Sequence, residues 1–331
     1  MTLTDASLLR EWSVTSATTH DHSDIADFLA TTEGLSGRKF AADSRDVAEQ
    51  LDGAFRGGVV VVRDGDGRVR GYTALHQPHG LEPELAADVV FDPATPSGVV
   101  EEAVDAVVAR FRSEADTAGE GYLRIFLGAD QDVVIDALIR HGARLEGEFI
   151  RTRKPLLGED RGALETASID GLTVIPWSEV ISRHLGEQVR RLQYDTFLEH
   201  FGNMSKTPEV WQHHIQSRLF TPDFSVAAIS GSGDVVGYVL GSTYTSGTAG
   251  SEERSAHTDY IGVRRDQRKR GIGELLLKKI WLAALRRGLT VASLGTDVNN
   301  RSNAHLLYRR IGYTAVENQV AYRIDSQRAD A

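Results

Sequence analysis

Apolar residues recur along this chain in two rhythms, short alternating runs and longer stretches at helical spacing, and the rhythms follow each other in a fixed order. Trp12 to Leu29 reads as an apolar strand feeding a helix. Val59 to Val62 and Val69 to His76 read as strands around the turn Asp64-Gly65-Asp66-Gly67, the pattern of a hairpin. A further strand, a helix over Val99 to Arg112, another strand and a last helix ending at Arg140-His141-Gly142-Ala143 complete the pass. Glycine just beyond a helical run is the expected C-terminal stop.

The same order then repeats. Leu172 to His200 is strand and helix, and Ser225 to Ile229 and Val235 to Leu240 flank the turn Gly231-Ser232-Gly233-Asp234. Gly273 to Arg287 is the first long helix, and Arg310-Ile311-Gly312-Tyr313 closes the last one. Both second strands carry Gly-Tyr, at Gly71-Tyr72 and Gly237-Tyr238. Recurrence of both order and spacing predicts a duplication. It divides the chain into halves 1–157 and 170–331, joined through Pro155 to Gly171, with a frayed tail from Ser326. Strands that alternate with helices around hairpins predict an α/β (α+β) fold, each half a mixed, mostly antiparallel sheet flanked by helices.

Composition narrows the chemistry. The 331 residues suffice for two cores, and runs such as Gly58 to Val62 fall short of a membrane span. The first residues lack a signal-peptide pattern, so a cytoplasmic address is expected. Zero cysteines excludes disulfides, thiolate metal sites and a covalent acyl-cysteine, and no Gly-x-Ser-x-Gly elbow is present. A net charge of -10 disfavours nucleic acid as a partner. An anionic ligand would therefore need a local basic patch.

Asp259 to Lys279, DYIGVRRDQRKRGIGELLLKK, supplies one. A strand ending at Val263 is followed by Arg264, Arg265, Arg268, Lys269 and Arg270, then Gly271-Ile272-Gly273 and a helix whose stripe is Ile272, Leu276, Ile280 and Ala284. Glycines admit close approach to backbone N–H groups, and a helix start adds partial positive charge, so the stretch is built for a pyrophosphate. The Walker pattern is excluded by Glu274 after the last glycine, and a dinucleotide fingerprint by Leu276 at its third glycine.

Arg268-x-x-Gly271-x-Gly273 after a strand resembles the pyrophosphate loop of the GNAT superfamily of N-acetyltransferases. Ala304, Leu307, Tyr308, Gly312 and Tyr313 resemble that family's closing helix, although Arg301 stands where asparagine is common. The resemblance, to the tandem two-domain type, implies two GNAT-like domains and acetyl-CoA as co-substrate. It implies pyrophosphate contacts from Arg268, Lys269, Arg270, Gly271, Ile272, Gly273 and Glu274, pantetheine pairing along Ile261, Gly262 and Val263, and nearby asparagines at Asn299 and Asn303. It also implies Tyr308 as the acid for the departing thiolate, with Asp259 or Glu199, beside His200, as candidate base.

The first half departs from that text. Its junction, Phe91-Asp92-Pro93-Ala94-Thr95-Pro96-Ser97-Gly98-Val99, has no arginine and two prolines, and Leu138 occupies the place of Tyr308. Proline lacks the N–H a cradle needs, so this half reads as a degenerate copy. His213 and His214 read as solvated helix residues rather than metal ligands, since adjacent helical side chains point apart. The expected partner is a small-molecule amine, with no nucleic acid or membrane, acting on a monomer or homodimer. A non-catalytic acyl-CoA sensor is the competing reading, and Tyr308 discriminates against it.

Overall fold

The computed structural model describes residues 12–31, 44–52, 54–76, 84–118, 121–198, 200–201, 204–246, 253–299 and 303–326. The first half runs β1 (Ser13–Ser16), α1 (His22–Thr31), α2 (Ser44–Asp52), β2 (Ala54–Arg63), β3 (Val69–His76), β4 (Glu84–Phe91), α3 (Ser97–Ala118), β5 (Tyr122–Gly128), α4 (Asp132–Arg140) and β6 (Arg144–Pro155). After the connecting helix α5 (Arg161–Thr166), the second runs β7 (Leu172–Pro176), α6 (Trp177–Ser182), α7 (Gly186–Phe197), α8 (Pro208–Gln216), β8 (Val226–Ser230), β9 (Val235–Ser246) and β10 (Glu253–Val263). It ends with α9 (Ile272–Arg286), β11 (Val291–Asp297), α10 (Ala304–Arg310) and β12 (Thr314–Asp325). Among the described residues no helix is long and apolar enough to cross a membrane.

The strands form one sheet of twelve, in the order β1-β2-β3-β4-β5-β12-β6-β11-β10-β9-β8-β7. Only β4 with β5 and β10 with β11 pair in parallel; every other neighbour is antiparallel. The order is a palindrome of the two halves about the β12–β6 pair, which is the spatial signature of the duplication. The sheets are not separate, however. β12 lies against β5, with Gln319 opposite Gly128 and Asp325 opposite Tyr122. β6 lies against β11, with Phe149 opposite Asp297 and Pro155 opposite Val291. Each half's last strand is thus held by the other half's sheet.

Alternation assigns the two faces of each sheet half. Val89, Leu123, Ile125 and Leu127 pack under α3 with Val104, Val108 and Phe111, while Tyr72, Ala74 and Val90 meet α1 and α2 on the opposite face. In the second half the expected stripe Ile272, Leu276, Ile280 and Ala284 is buried to 1% or less, sealed against Val236, Val239, Ala292 and Leu294. Tyr238 and Leu240 face α6 to α8 instead. Burial of this many branched side chains, each worth about 1.5–3 kcal/mol, fixes α9 on one face of β10 and α7 on the other.

Candidate active site

Strands β10 and β11 pair only over Ala256–Thr258 and Ala292–Leu294, and then separate. β10 stays paired with β9 to its end, through Tyr260–Leu240, Ile261–Val239 and Val263–Gly237. β11 stays paired with β6. The separation therefore opens a V between two firmly held strands. Arg264 donates its N–H to Val236 O at 2.9 Å, and alternation along the strand turns the N–H and C=O of Ile261 and Val263 the other way, into the V. That is an open ladder edge inside the protein, suited to an extended ligand arm that carries amides. Gly262 keeps the opposite side closed: a Cβ there would lie 2.5 Å from the Tyr238 ring and 2.6 Å from Thr196 Oγ1.

At the wide end of the V the chain turns through a short 3-10 helix, Arg265–Gln267, into α9. Arg268 donates from Nε to Val263 O at 3.1 Å, closing the loop on itself. Lys269 and Gly271 adopt left-handed φ of 63° and 80°, which aims the following N–H groups outward. A helix that begins at Ile272 leaves its first four N–H groups without intrahelical acceptors. The nearest side-chain atom to a Cβ on Gly271 would be Ile169 Cδ1 at 3.8 Å, so the cradle is open. Arg265, Arg268, Lys269 and Arg270 are exposed around it. Arg264 is held by Asp266 at 2.7 Å, and Glu274 by Lys278 at 2.9 Å and Arg310 at 3.2 Å. The carboxylates of the region are thereby neutralised and the cradle stays cationic.

Tyr308 sits on α10, 6% exposed and packed against Tyr313 at 6.1 Å. Burial pushes its hydroxyl up to about 12, so the phenol remains protonated at neutral pH. Its helix shares the core of α9, with Leu307 reaching the space over Gly273. Asn303 precedes α10 with a left-handed φ of 54° and caps no N–H with its side chain. Asn299 is exposed and donates its backbone N–H to Asp297 Oδ1 at 2.7 Å.

The opposite face of the V carries α7 and the segment after it. Asp259 occupies the irregularity where β10 shifts register between Thr258 and Tyr260. Its side chain is 7% exposed, accepts from Ser242 Oγ at 3.1 Å and lies 4.0 Å from His257 Nε2. His200 stacks on Phe197 at 4.8 Å, and Phe197 meets Tyr260 at 5.3 Å. Burial lowers the His200 imidazole below its ordinary value, opposed by a Phe201 backbone hydrogen bond and the charge of Asp297. Glu199 lies outside the described residues. Phe201 reaches across to the other half's strands, 5.0 Å from Phe149 and 6.1 Å from Phe126.

Residues 187–313 match the acetyltransferase (GNAT) family, and they contain the V, the basic loop and Tyr308. The C-terminal half carries a GNAT domain. No curated protein matches the chain. Over 99% of its length the chain shares its fold, at 22% identity and a TM-score of 0.69, with a GCN5-related N-acetyltransferase from Sphaerobacter thermophilus, 98% of which is covered. A tandem GNAT protein from the clavulanic acid biosynthesis pathway aligns at 16% identity and a TM-score of 0.66, covering 97% of this chain and all of that one. The N-myristoyltransferase of Saccharomyces cerevisiae aligns at 12% and 0.61, over 98% of this chain and 82% of that one. The tandem GNAT fold is therefore that of the whole chain.

The first half has a V of the same kind, and the turn at its wide end is closed. β4 and β5 pair over Glu84–Ala87 and Tyr122–Ile125 and then part. At the wide end Asp92 takes up backbone donors of the turn: its Oδ1 accepts from Ala94 N at 2.8 Å, and its carbonyl accepts from Thr95 N. Arg70 is spent on Asp92 at 3.1 Å and on Asp64 at 2.6 Å. Leu138 is fully buried in the first core, so no phenol stands there.

One sequence reading changes. His214 is not a solvated residue, because it packs edge-on against Phe220 at 5.8 Å and Tyr260 at 5.3 Å; adjacent helical residues lie about 100° apart, so one of the pair turns inward while His213 stays exposed. His257 and Ser293, which touch at 2.9 Å, carry no motif. Only the parallel pairing of β10 with β11 brings them together.

Proposed function

We infer that this chain is an acetyl-CoA-dependent N-acetyltransferase that acetylates the primary amine of a small molecule by direct attack. The observation that carries this reading is the V between β10 and β11, ending on the basic loop and empty of any side chain at Gly271. The loop and helix start suit the pyrophosphate, and Ile261 with its N–H and C=O and Val263 with its N–H suit the pantetheine amides. An alkyl amine has a pKa near about 10.4, so at neutral pH roughly one molecule in 10³ is ready to attack. A proton must therefore leave toward the Asp259 side of the sheet before or during attack. An N–H of the β10 edge stabilises the oxyanion formed at the thioester carbon. Tyr308, on the other side, donates a hydrogen bond to the departing thiolate.

Isothermal calorimetry with acetyl-CoA should give one site per chain, since Asp92 and the two prolines close the first half. Two equivalent sites would overturn the assignment of the coenzyme to the second half. Gly271→Val is expected to weaken acetyl-CoA at least tenfold, about 1.4 kcal/mol. A β-branched side chain is strained by about 1–2 kcal/mol at φ 80° and also fills the cradle. Unchanged affinity in a folded variant would move the pyrophosphate elsewhere.

A further inference from the structure

A row of buried polar side chains crosses β9, β10 and β11 on the face that carries α7. Ser242 Oγ donates to Asp259 Oδ1 at 3.1 Å, and His257 Nε2 lies 4.0 Å from the same oxygen. His257 Nδ1 meets Ser293 Oγ at 2.9 Å, and Ser293 Oγ meets Ser255 Oγ at 2.7 Å. Ser242, Ser255, His257 and Ser293 are 2–5% exposed. One end of the row is Asp259, directly after Thr258, the last residue of β10 that β11 holds. The other end opens into a cavity of about 340 Å³ lined by Ser255, Ser293, Tyr244, Arg151, Arg153 and Glu253.

Burying polar groups costs free energy even when they are hydrogen-bonded, and aliphatic residues would pack these positions more cheaply. The row also has a direction, from the apex of the V to a cavity open to water. The geometry points to a proton exit that runs Asp259–His257–Ser293–Ser255 and serves the amine in the acetyl transfer inferred above, on which it rests. The ammonium N–H bond breaks and its electron pair stays on nitrogen for the attack. Asp259 accepts the proton and, on turning its carboxyl toward the ring from the 4.0 Å at which the two now stand, passes it to His257 Nε2. His257 gives its Nδ1 proton to Ser293, Ser293 gives its hydroxyl proton to Ser255, and Ser255 gives its own to water in the cavity.

The charged groups around the row allow this passage. On β9, the Tyr244 ring lies 5.4 Å from that of His257. On β6, Arg151 stands over Tyr244 and is paired with Glu317 of β12 at 2.7 Å. Arg153 is paired with Glu253 at 2.6 Å. Both guanidinium charges that face the cavity are thus balanced by carboxylates.

The test follows the His257 ring proton in the full chain labelled with ¹⁵N-histidine, by NMR exchange with water and with no acceptor needed. Through a working exit, a ring that is 3% exposed exchanges rapidly, and Ser293→Ala should lengthen the proton's lifetime at least tenfold. Ser293→Thr, which keeps a hydroxyl, should restore it. A serine that merely holds the ring would shield the proton, so its removal would shorten the lifetime. A shorter or unchanged lifetime in Ser293→Ala, at an unchanged melting temperature, overturns the exit; if that variant does not fold, slow exchange in the unaltered chain does so. Acetyl-CoA calorimetry on the unaltered chain reports separately on the reading beneath it. Absent binding there would sink the acetyl transfer whatever the exchange rates show.

Discussion

Deleting residues 314–331 is expected to unfold the first half of the chain as well as the second. Those residues include β12, which hydrogen-bonds β5 on one side and β6 on the other. Ile324 is 2% exposed inside the first half's core, with Val320 and Tyr322 packed beside it. Truncating one such aliphatic residue costs about 2–5 kcal/mol, and removing the strand removes all three together with a full ladder of hydrogen bonds. A domain's whole stability is about 5–15 kcal/mol, so the loss is comparable to the total. The measurement is hydrogen exchange at β4 and β5 in the shortened chain. Protection equal to that of the full chain would mean that the first half stands without its borrowed strand.

Tyr308→Phe should leave acetyl-CoA binding and the melting temperature nearly unchanged and lower turnover about a hundredfold. The ring packs in the core of α9 and Phe keeps it, while the hydroxyl is the only group lost. A hydrogen-bond donor positioned on developing charge is worth about 10²–10³ in rate, and the low end applies because a thiolate is already a fair leaving group. With the phenol at about 12 and a thiol near about 8.5, complete proton transfer would run uphill by on the order of 5 kcal/mol. The phenol therefore acts by a hydrogen bond that strengthens as the C–S bond breaks, and it stays protonated through any practical pH range. The rate is read by thiol release from acetyl-CoA with the amine found to be active. A turnover equal to that of the unaltered chain would remove Tyr308 from the chemistry.

Much of this was legible in the sequence, and the rest was hidden for definite physical reasons. The basic loop could be read because helix starts and glycines bind anions through local geometry, and Arg268, Gly271 and Gly273 fall within six residues of the chain. The stripe of α9 and the hairpin turns are local in the same way. Exchange of β6 and β12 was not legible, because alternation tells which face a strand buries and nothing about its neighbour. The row through Asp259, His257 and Ser293 was half visible: the aspartate drew notice from its place before the loop, while Ser293 lies more than thirty residues on. His214 misled because adjacent helical histidines point apart, and the sequence does not tell which of the two turns inward.

The exchanged strands also set an order of events during synthesis. β5 ends at Gly128, and the strand that completes its edge begins at Thr314. At roughly 5–20 residues per second the ribosome needs about 10–40 s to bridge that interval. Throughout it the nascent first half presents an unfinished sheet edge, with Phe126 beside it, to every other chain in the cell. Open edges of this kind recruit strands from other molecules, and pairings so distant in sequence form slowly. The second half, in contrast, finds β6 already waiting when β11 emerges. The first half is thus made first and finished last.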